Sequence, residues 1–212
     1  MDLSNLERPH GLTPASRFLK RSFDIVFAVL GFLLLGWLIL IAFLLASWDT
    51  GESGIFRQER VGKDGRLFKV IKIRTMRSDP AVRTTVTSAA DPRITRLGSF
   101  WRRTKIDELP QLINILLGQM SFVGPRPDVP GFADRLQGTD RIILSVRPGI
   151  TGPAALRFRH EETLLASQLD PERYNREIIY PEKVRINRIY IENYSFWSDL
   201  KYIWQTIAGD RE

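Results

Sequence analysis

Two carboxylates stand side by side at Asp107-Glu108, directly after the cations Arg102, Arg103 and Lys105. Further along, two Pro/Gly-rich loops each present an arginine, Arg126 in residues 121–127 and Arg147 in residues 147–153. A carboxylate beside several cations stays ionised at neutral pH and can attack phosphorus. A second one can hold Mg²⁺, which prefers carboxylate and phosphate oxygens. Arginines then neutralise the charge that develops on a transferred phosphoryl group. The plainer alternative is an N-cap Asp followed by a first-turn Glu, which stabilise a helix start and do nothing else. The crowd of cations is what argues for chemistry. The chain has neither G-x-x-x-x-G-K-[ST] nor G-x-G-x-x-G, so it is no ordinary nucleotide triphosphatase or dinucleotide enzyme. It has no Cys and only two His, His10 and His160, which excludes disulfides, thiolate metal sites and a His cluster.

The elements around these residues begin with an apolar run. Residues 25–48 contain no charge in 24 positions. At about 1.5 Å per residue they make a helix of roughly 36 Å, enough for the ~30 Å hydrocarbon layer. The run is too long for a secretory h-region, and Ala46-Ser47-Trp48 is a poor cleavage site. Arg8, Arg17, Lys20 and Arg21 before it are matched by Arg57, Arg60, Lys63 and Arg66 after it, which fits a segment that enters and leaves by one cytoplasmic face. The net charge of +7 is uneven: residues 57–105 hold 14 Lys/Arg against 4 Asp/Glu, and residues 106–212 hold 13 against 15. Such a basic field attracts anionic lipid, nucleic acid or phosphorylated substrates.

Residues 55–62 read as a short strand, Lys63-Asp64-Gly65-Arg66 as a hairpin turn, and residues 67–74 as a second strand with Phe68, Val70, Lys72 and Arg74 on one face. Residues 77–92 read as a mobile loop. Ile94, Leu97, Phe100 and Trp101, interleaved with arginines, predict an interfacial amphipathic helix. Leu109, Leu112, Ile113, Leu116 and Leu117 predict another helix, starting near Asp107 or Glu108 with Pro110 in its first turn and stopping at Gly118. Residues 181–208 predict helix, with Tyr190, Tyr194, Trp197, Tyr202 and Trp204 suited to a surface near headgroups.

Several of these segments carry a family resemblance. They are Lys20-Arg21-Ser22-Phe23-Asp24, Phe56-Arg57-Gln58-Glu59-Arg60-Val61-Gly62, residues 68–76, Asp107-Glu108-Leu109-Pro110-Gln111, residues 121–127 and residues 147–152. In this order they make the chain resemble a bacterial sugar transferase, of the monotopic phosphoglycosyl transferase family, from residue 17 to 208. The resemblance implies transfer of a sugar-1-phosphate from a UDP-sugar to undecaprenyl phosphate, with UMP released and Mg²⁺ required. It implies Asp107 as the nucleophile of a covalent intermediate and Glu108 as the Mg²⁺ ligand. Arg126 would contact substrate phosphate, and Lys72, Arg102 and Arg147 would be further anion contacts. Two positions depart from the family pattern. Gly36-Trp37 replaces the Ser-Pro that bends the membrane helix back, so re-entry is expected from family geometry and from the charge symmetry. Pro153-Ala154-Ala155-Leu156 stands where many relatives have Trp, and with residues 180–185 it suggests a particular branch.

The expected fold is α+β and mostly helical: an irregular arm (1–16), a re-entrant membrane helix (17–48) and a catalytic domain (49–212) of interfacial helices around a small β-hairpin. The expected place is the bacterial inner membrane, with the catalytic domain facing the cytoplasm and membrane lipids as further partners. A homodimer is compatible with this reading. The rival is a non-catalytic adapter whose basic segment binds anionic lipid. Nucleic acid is not an expected partner, because no RNA motif is present and the aromatics do not interleave with the basic stretch.

Overall fold

The computed structural model describes residues 12–79 and 91–209. Most of the arm expected over 1–16 and most of the loop expected over 77–92 lie outside the described residues. What is described is mostly helical with four short strands among the described residues, in agreement with an α+β chain dominated by helices.

The first helix, α1 (Pro14–Thr50), runs 37 residues. Thr13 caps its start by accepting a hydrogen bond from the Ser16 N–H, and Gly51 ends it in the left-handed region at φ 73°. Lys20, Asp24, Ala28, Ile39, Ala42 and Ala46 line one buried stripe at helical spacing. The three alanines let the rest of the protein approach closely. The opposite side is apolar and exposed: Leu33 is 74 %, Trp37 62 % and Trp48 84 % accessible. The helix is long and apolar enough to cross a membrane.

Helix α1 continues through Gly36 and Trp37, so these residues do not interrupt its hydrogen bonding. A glycine permits a kink but, unlike proline, removes no backbone donor and so does not impose one. The Trp37 indole N–H donates to the Leu34 carbonyl at 2.8 Å. Both ends of α1 nevertheless touch the same packed unit. Near the start, Lys20 Nζ donates to Asp199 Oδ2 at 2.6 Å; near the end, Ile39, Ala42 and Ala46 pack with Ile73 and Trp101. The packed unit therefore lies along α1, not beyond one end of it.

Strands β1 (Ile55–Val61) and β2 (Leu67–Ile73) pair antiparallel from Ile55↔Ile73 to Val61↔Leu67, joined by the Asp64-Gly65 turn, as their pattern predicts. Phe68 and Val70 bury against Ala28, Leu112, Ile115 and Met120. Helix α2 (Arg96–Thr104) sets Trp101 into the core and leaves Phe100 44 % exposed. Helix α3 (Gln111–Leu116) is shorter than the leucine spacing predicts, and its Leu112 and Ile115 enter the core. It buries Gln111 and Asn114, while Leu117 is 64 % exposed. Next to an apolar helix with an exposed face, an apolar stripe need not point into the protein. The buried Asn114 is fully employed: Oδ1 accepts from the Ile71 N–H, and Nδ2 donates to the Lys69 carbonyl and to Gln119 Oε1.

The two Pro/Gly loops form one unit. Strand β3 (Ser121–Val123) pairs in parallel with β4 (Gly149–Thr151). Short helices α4 (Pro153–Arg157), α5 (Glu161–Ala166) and α6 (Pro171–Tyr174) follow, and a π-helical turn over Asn175–Ile179 leads into α7 (Tyr180–Glu192). The C-terminal helix predicted over 181–208 is broken at 193–195, where α7 ends and α8 (Phe196–Ala208) begins. Trp197 and Trp204 are exposed as expected. Tyr190 is not: it is buried and its hydroxyl donates to Asp199 Oδ1 at 2.6 Å.

Asp199 thus holds Lys20 and Tyr190, with Tyr194 donating to Oδ2 at 3.1 Å. Removing one partner of a buried ion pair strands the other charge, at a cost of about 3–5 kcal/mol. Asp199→Asn, which keeps the shape and an acceptor, should lower stability in detergent by that order. An unchanged unfolding midpoint would show that α1 is not anchored through this pair.

Candidate active site

The site starts with a backbone reversal. Helix α2 ends at Lys105, which sits in the left-handed region at φ 58° although it is not a glycine. Such strain persists only where surrounding structure enforces it. Here it feeds the chain into a 3-10 turn, Ile106–Glu108, that carries Asp107 and Glu108 inward, 7 % and 8 % exposed. The helix expected to begin at these acids starts later, at Gln111.

Glu108 is clamped. Its Oε1 accepts from Arg126 Nη2 at 2.7 Å and from Lys72 Nζ at 3.2 Å. Lys72 reaches it because β2 alternation puts it on the same side as Phe68 and Val70. Arg126 reaches it because the loop after β3 is fixed from several sides. The Gly124 N–H donates to Thr151 O, the Gly149 N–H donates to Pro125 O, and Arg60 Nη1 donates to Pro127 O. The two loops touch so closely that a Cβ on Gly149 would lie 2.1 Å from Gly124 N. Glycine is required there by contact, not by turn type.

Asp107 is the opposite case. Neither of its oxygens takes a hydrogen bond among the described residues, and Oδ1 is fully buried without a partner. Burial, and then the neighbouring Glu108 charge, push its carboxyl up to about 6, against the pull of Lys72, Lys105 and Arg102. Burial acts on Glu108 in the same direction, but Arg126 and Lys72 outweigh it and hold that carboxyl well below the usual range. Two adjacent acids are thereby driven apart, one permanently charged and locked, the other unengaged and nearer neutrality, which is how paired carboxylates acquire different roles.

Of the remaining expected contacts, Arg102 belongs to the site. Its Nε donates to Thr75 Oγ1 at 3.2 Å, its Nη1 lies 3.8 Å from Glu162 Oε2, and its charge bears on Asp107. Arg147 has a backbone partner: its Nε donates at 2.7 Å to the carbonyl of Gly118, which follows α3. Its loop does serve the site, through the Gly149 and Thr151 contacts that hold Arg126.

Thr75, Arg60 and Asp128 were not singled out by the sequence as site residues. Asp128 stands two residues after Arg126, with its carboxyl pushed up to about 6 by burial, against Lys183 and Arg60. The residue pattern of the loop gave only the arginine, because nothing in a sequence tells a buried Asp from a solvated one.

Mg²⁺ fits this donor set. Glu108 Oε2 and the Asp107 oxygens accept no hydrogen bond among the described residues, and no group of three or more metal-ligating acids, His or Cys occurs among them. A pair of carboxylates without further protein ligands suits an ion that completes its shell with phosphate oxygens and water.

Because its pKa is raised, the Asp107 carboxyl is favoured in its neutral form by the fold, so its charge costs stability at pH 7, a cost that falls as pH drops from about 6 towards 4. Asp107→Asn should therefore stabilise the protein at pH 7 by on the order of 2–3 kcal/mol, with the gain shrinking at pH 4–5. A lower unfolding midpoint for this variant at pH 7 would mean that the charge is compensated in a way the geometry does not show.

Comparison with known proteins agrees with the residue-level reading. The family model described as bacterial sugar transferase matches residues 15–209. The exopolysaccharide production protein ExoY of Sinorhizobium fredii is 32 % identical over 214 residues, covering 93 % of this chain and 88 % of its own length. The UDP-galactose-lipid carrier transferase of Erwinia amylovora is 35 % identical over 92 % of this chain. The UDP-glucose:undecaprenyl-phosphate glucose-1-phosphate transferase of Escherichia coli is 36 % identical over a similar share. The chain spans only about two fifths of the length of these last two. With a match across nearly all of its residues, the chain belongs to the bacterial sugar transferase family.

Proposed function

We propose that this protein transfers a sugar-1-phosphate from a UDP-sugar to undecaprenyl phosphate, as a membrane-bound phosphoglycosyl transferase whose catalytic unit faces the cytoplasm of a bacterium. The observation that carries the proposal is the dyad: an unengaged, buried Asp107 beside a Glu108 locked by Lys72 and the half-exposed Arg126, packed against an apolar helix. The activities named for the Erwinia amylovora and Escherichia coli relatives support the reaction class.

The reaction is written as two displacements at the sugar-bearing phosphorus. In the first, an Asp107 oxygen forms a bond to that phosphorus while the bond to the UMP oxygen breaks, and UMP leaves with the electron pair. In the second, an oxygen of undecaprenyl phosphate attacks the same phosphorus, the bond to Asp107 breaks, and the carboxylate is regenerated. Two anionic substrates then never need to share the site. Arg126, half-exposed and anchored through Glu108, is placed to receive a substrate phosphate, and Lys72 and Arg102 add positive charge on either side. Mg²⁺, held at Glu108 with Asp107 adjacent, would neutralise phosphate charge when bound.

Three results test this. Asp107→Asn should cut turnover of UDP-sugar and lipid phosphate by more than about 10³-fold; near-normal turnover ends the mechanism. The nucleophile acts ionised, so kcat/KM should fall about tenfold per pH unit below about 6 and level off above it. A profile flat down to pH 4.5 would contradict the raised Asp107 carboxyl. Exchanging Asp107 for Glu and Glu108 for Asp preserves charge and would be harmless in a non-catalytic adapter; here both changes should abolish activity.

A further inference from the structure

Arg147, absent from the dyad, stands in a second group of cations at the opposite end of α3. We propose that the cleft between the first turns of α1 and residues 145–147 binds a phosphate group, and that in the membrane this is the phosphate of an anionic phospholipid. The cleft has a volume of about 50 Å³ and is lined by Arg17, Arg21, Lys63 and Arg147, with Lys20 and Asp24 at its wall.

The charges there are not balanced. Arg21 donates to the Ile115 and Leu116 carbonyls, and Arg147 donates to the Gly118 carbonyl. Those bonds bring the two guanidinium groups together: a Cβ on Gly118 would lie 3.4 Å from Arg21 Nη2 and 4.0 Å from Arg147 Nε. The carbonyls at the end of α3 supply only partial negative charge. Each guanidinium has five N–H donors, and these bonds use two on Arg21 and one on Arg147 among the described residues. Two carboxylates lie nearby, and they do not match the four cations in number. Asp24 Oδ1 accepts from Ser121 Oγ and the Phe122 N–H, and Asp199 holds Lys20. The side chains of Arg17 and Lys63 make no hydrogen bond or ion pair among the described residues, so helix capping does not explain their presence. Four cations face the single carboxylate of Asp24 in one cleft, an excess of positive charge that suits an anion, and forked N–H donors suit phosphate.

The position favours lipid as its source. Arg21 lies one turn before Ile25, where the apolar run begins, and Phe18 and Leu19 beside it are 76 % and 48 % exposed. A phosphate in the cleft would therefore sit at headgroup level, with acyl chains free to follow the exposed side of α1.

The test uses the full chain in a neutral detergent at low salt, titrated calorimetrically with short-chain phosphatidylglycerol and, separately, with inorganic phosphate. Arg17 and Lys63 hold no part of the fold, so Arg17→Gln with Lys63→Gln can be made without disturbing α3. Phosphatidylglycerol should bind the native chain, and the double variant should bind it about 30-fold more weakly, with release of UMP from a UDP-sugar unchanged. Tighter binding of the lipid than of inorganic phosphate assigns the cleft to a headgroup. Equal or tighter binding of inorganic phosphate, equally weakened in the variant, keeps the phosphate site and overturns the lipid assignment. Binding that is the same in both proteins, or absent for both probes, overturns the site itself.

Discussion

The buried carboxylate of Glu108 is the constraint around which the site is arranged. A charge this far from water must be matched, and it is matched by cations from two other elements, Lys72 on β2 and Arg126 on the loop after β3. To deliver them, the hairpin must present its inner face to the 3-10 turn, and the 121–127 loop must be locked to β4. Once Glu108 has claimed both cations, Asp107 is left buried, adjacent to a fixed negative charge and without a hydrogen bond. The same geometry that stabilises one acid leaves the other buried and unengaged.

The apolar helix takes part in this arrangement and does more than tether it. Lys20 reaches Asp199 on α8, Arg21 satisfies the last carbonyls of α3, and Asp24 accepts from Ser121 and the Phe122 N–H of β3. Three polar side chains within five residues thus fix α1 against the elements that carry Arg126 and the acids. Further along, its small residues pack against β2 and α2.

Much of this was legible in the sequence, for identifiable reasons. Alternation and the Asp-Gly turn gave the β1–β2 hairpin and placed Lys72 on its inner face. Residue chemistry gave Asp107, Glu108, Arg126 and Arg102. What failed were inferences from apolar spacing near a membrane. The leucine spacing predicted a longer helix than α3 makes, and Tyr190 was read as surface although Asp199 draws its hydroxyl inward. Beside lipid, apolar residues are no longer a marker of the interior. For Arg147 the sequence could not show its backbone partner: an arginine in a Pro/Gly loop looks alike whether it meets a phosphate or, as here, the Gly118 carbonyl. At Gly36-Trp37, where the family pattern has Ser-Pro, α1 runs on as one helix, and glycine supplies no restraint of its own.

The central claim is that Asp107 carries the phosphosugar between the two substrates. It is tested most directly by intact-protein and peptide mass spectrometry after the protein is mixed with a UDP-sugar in the absence of lipid phosphate. The account predicts a mass increase of one sugar phosphate, mapped to Asp107 and discharged when undecaprenyl phosphate is added. An adduct on another residue, or full turnover by a protein that never acquires the added mass, would contradict it.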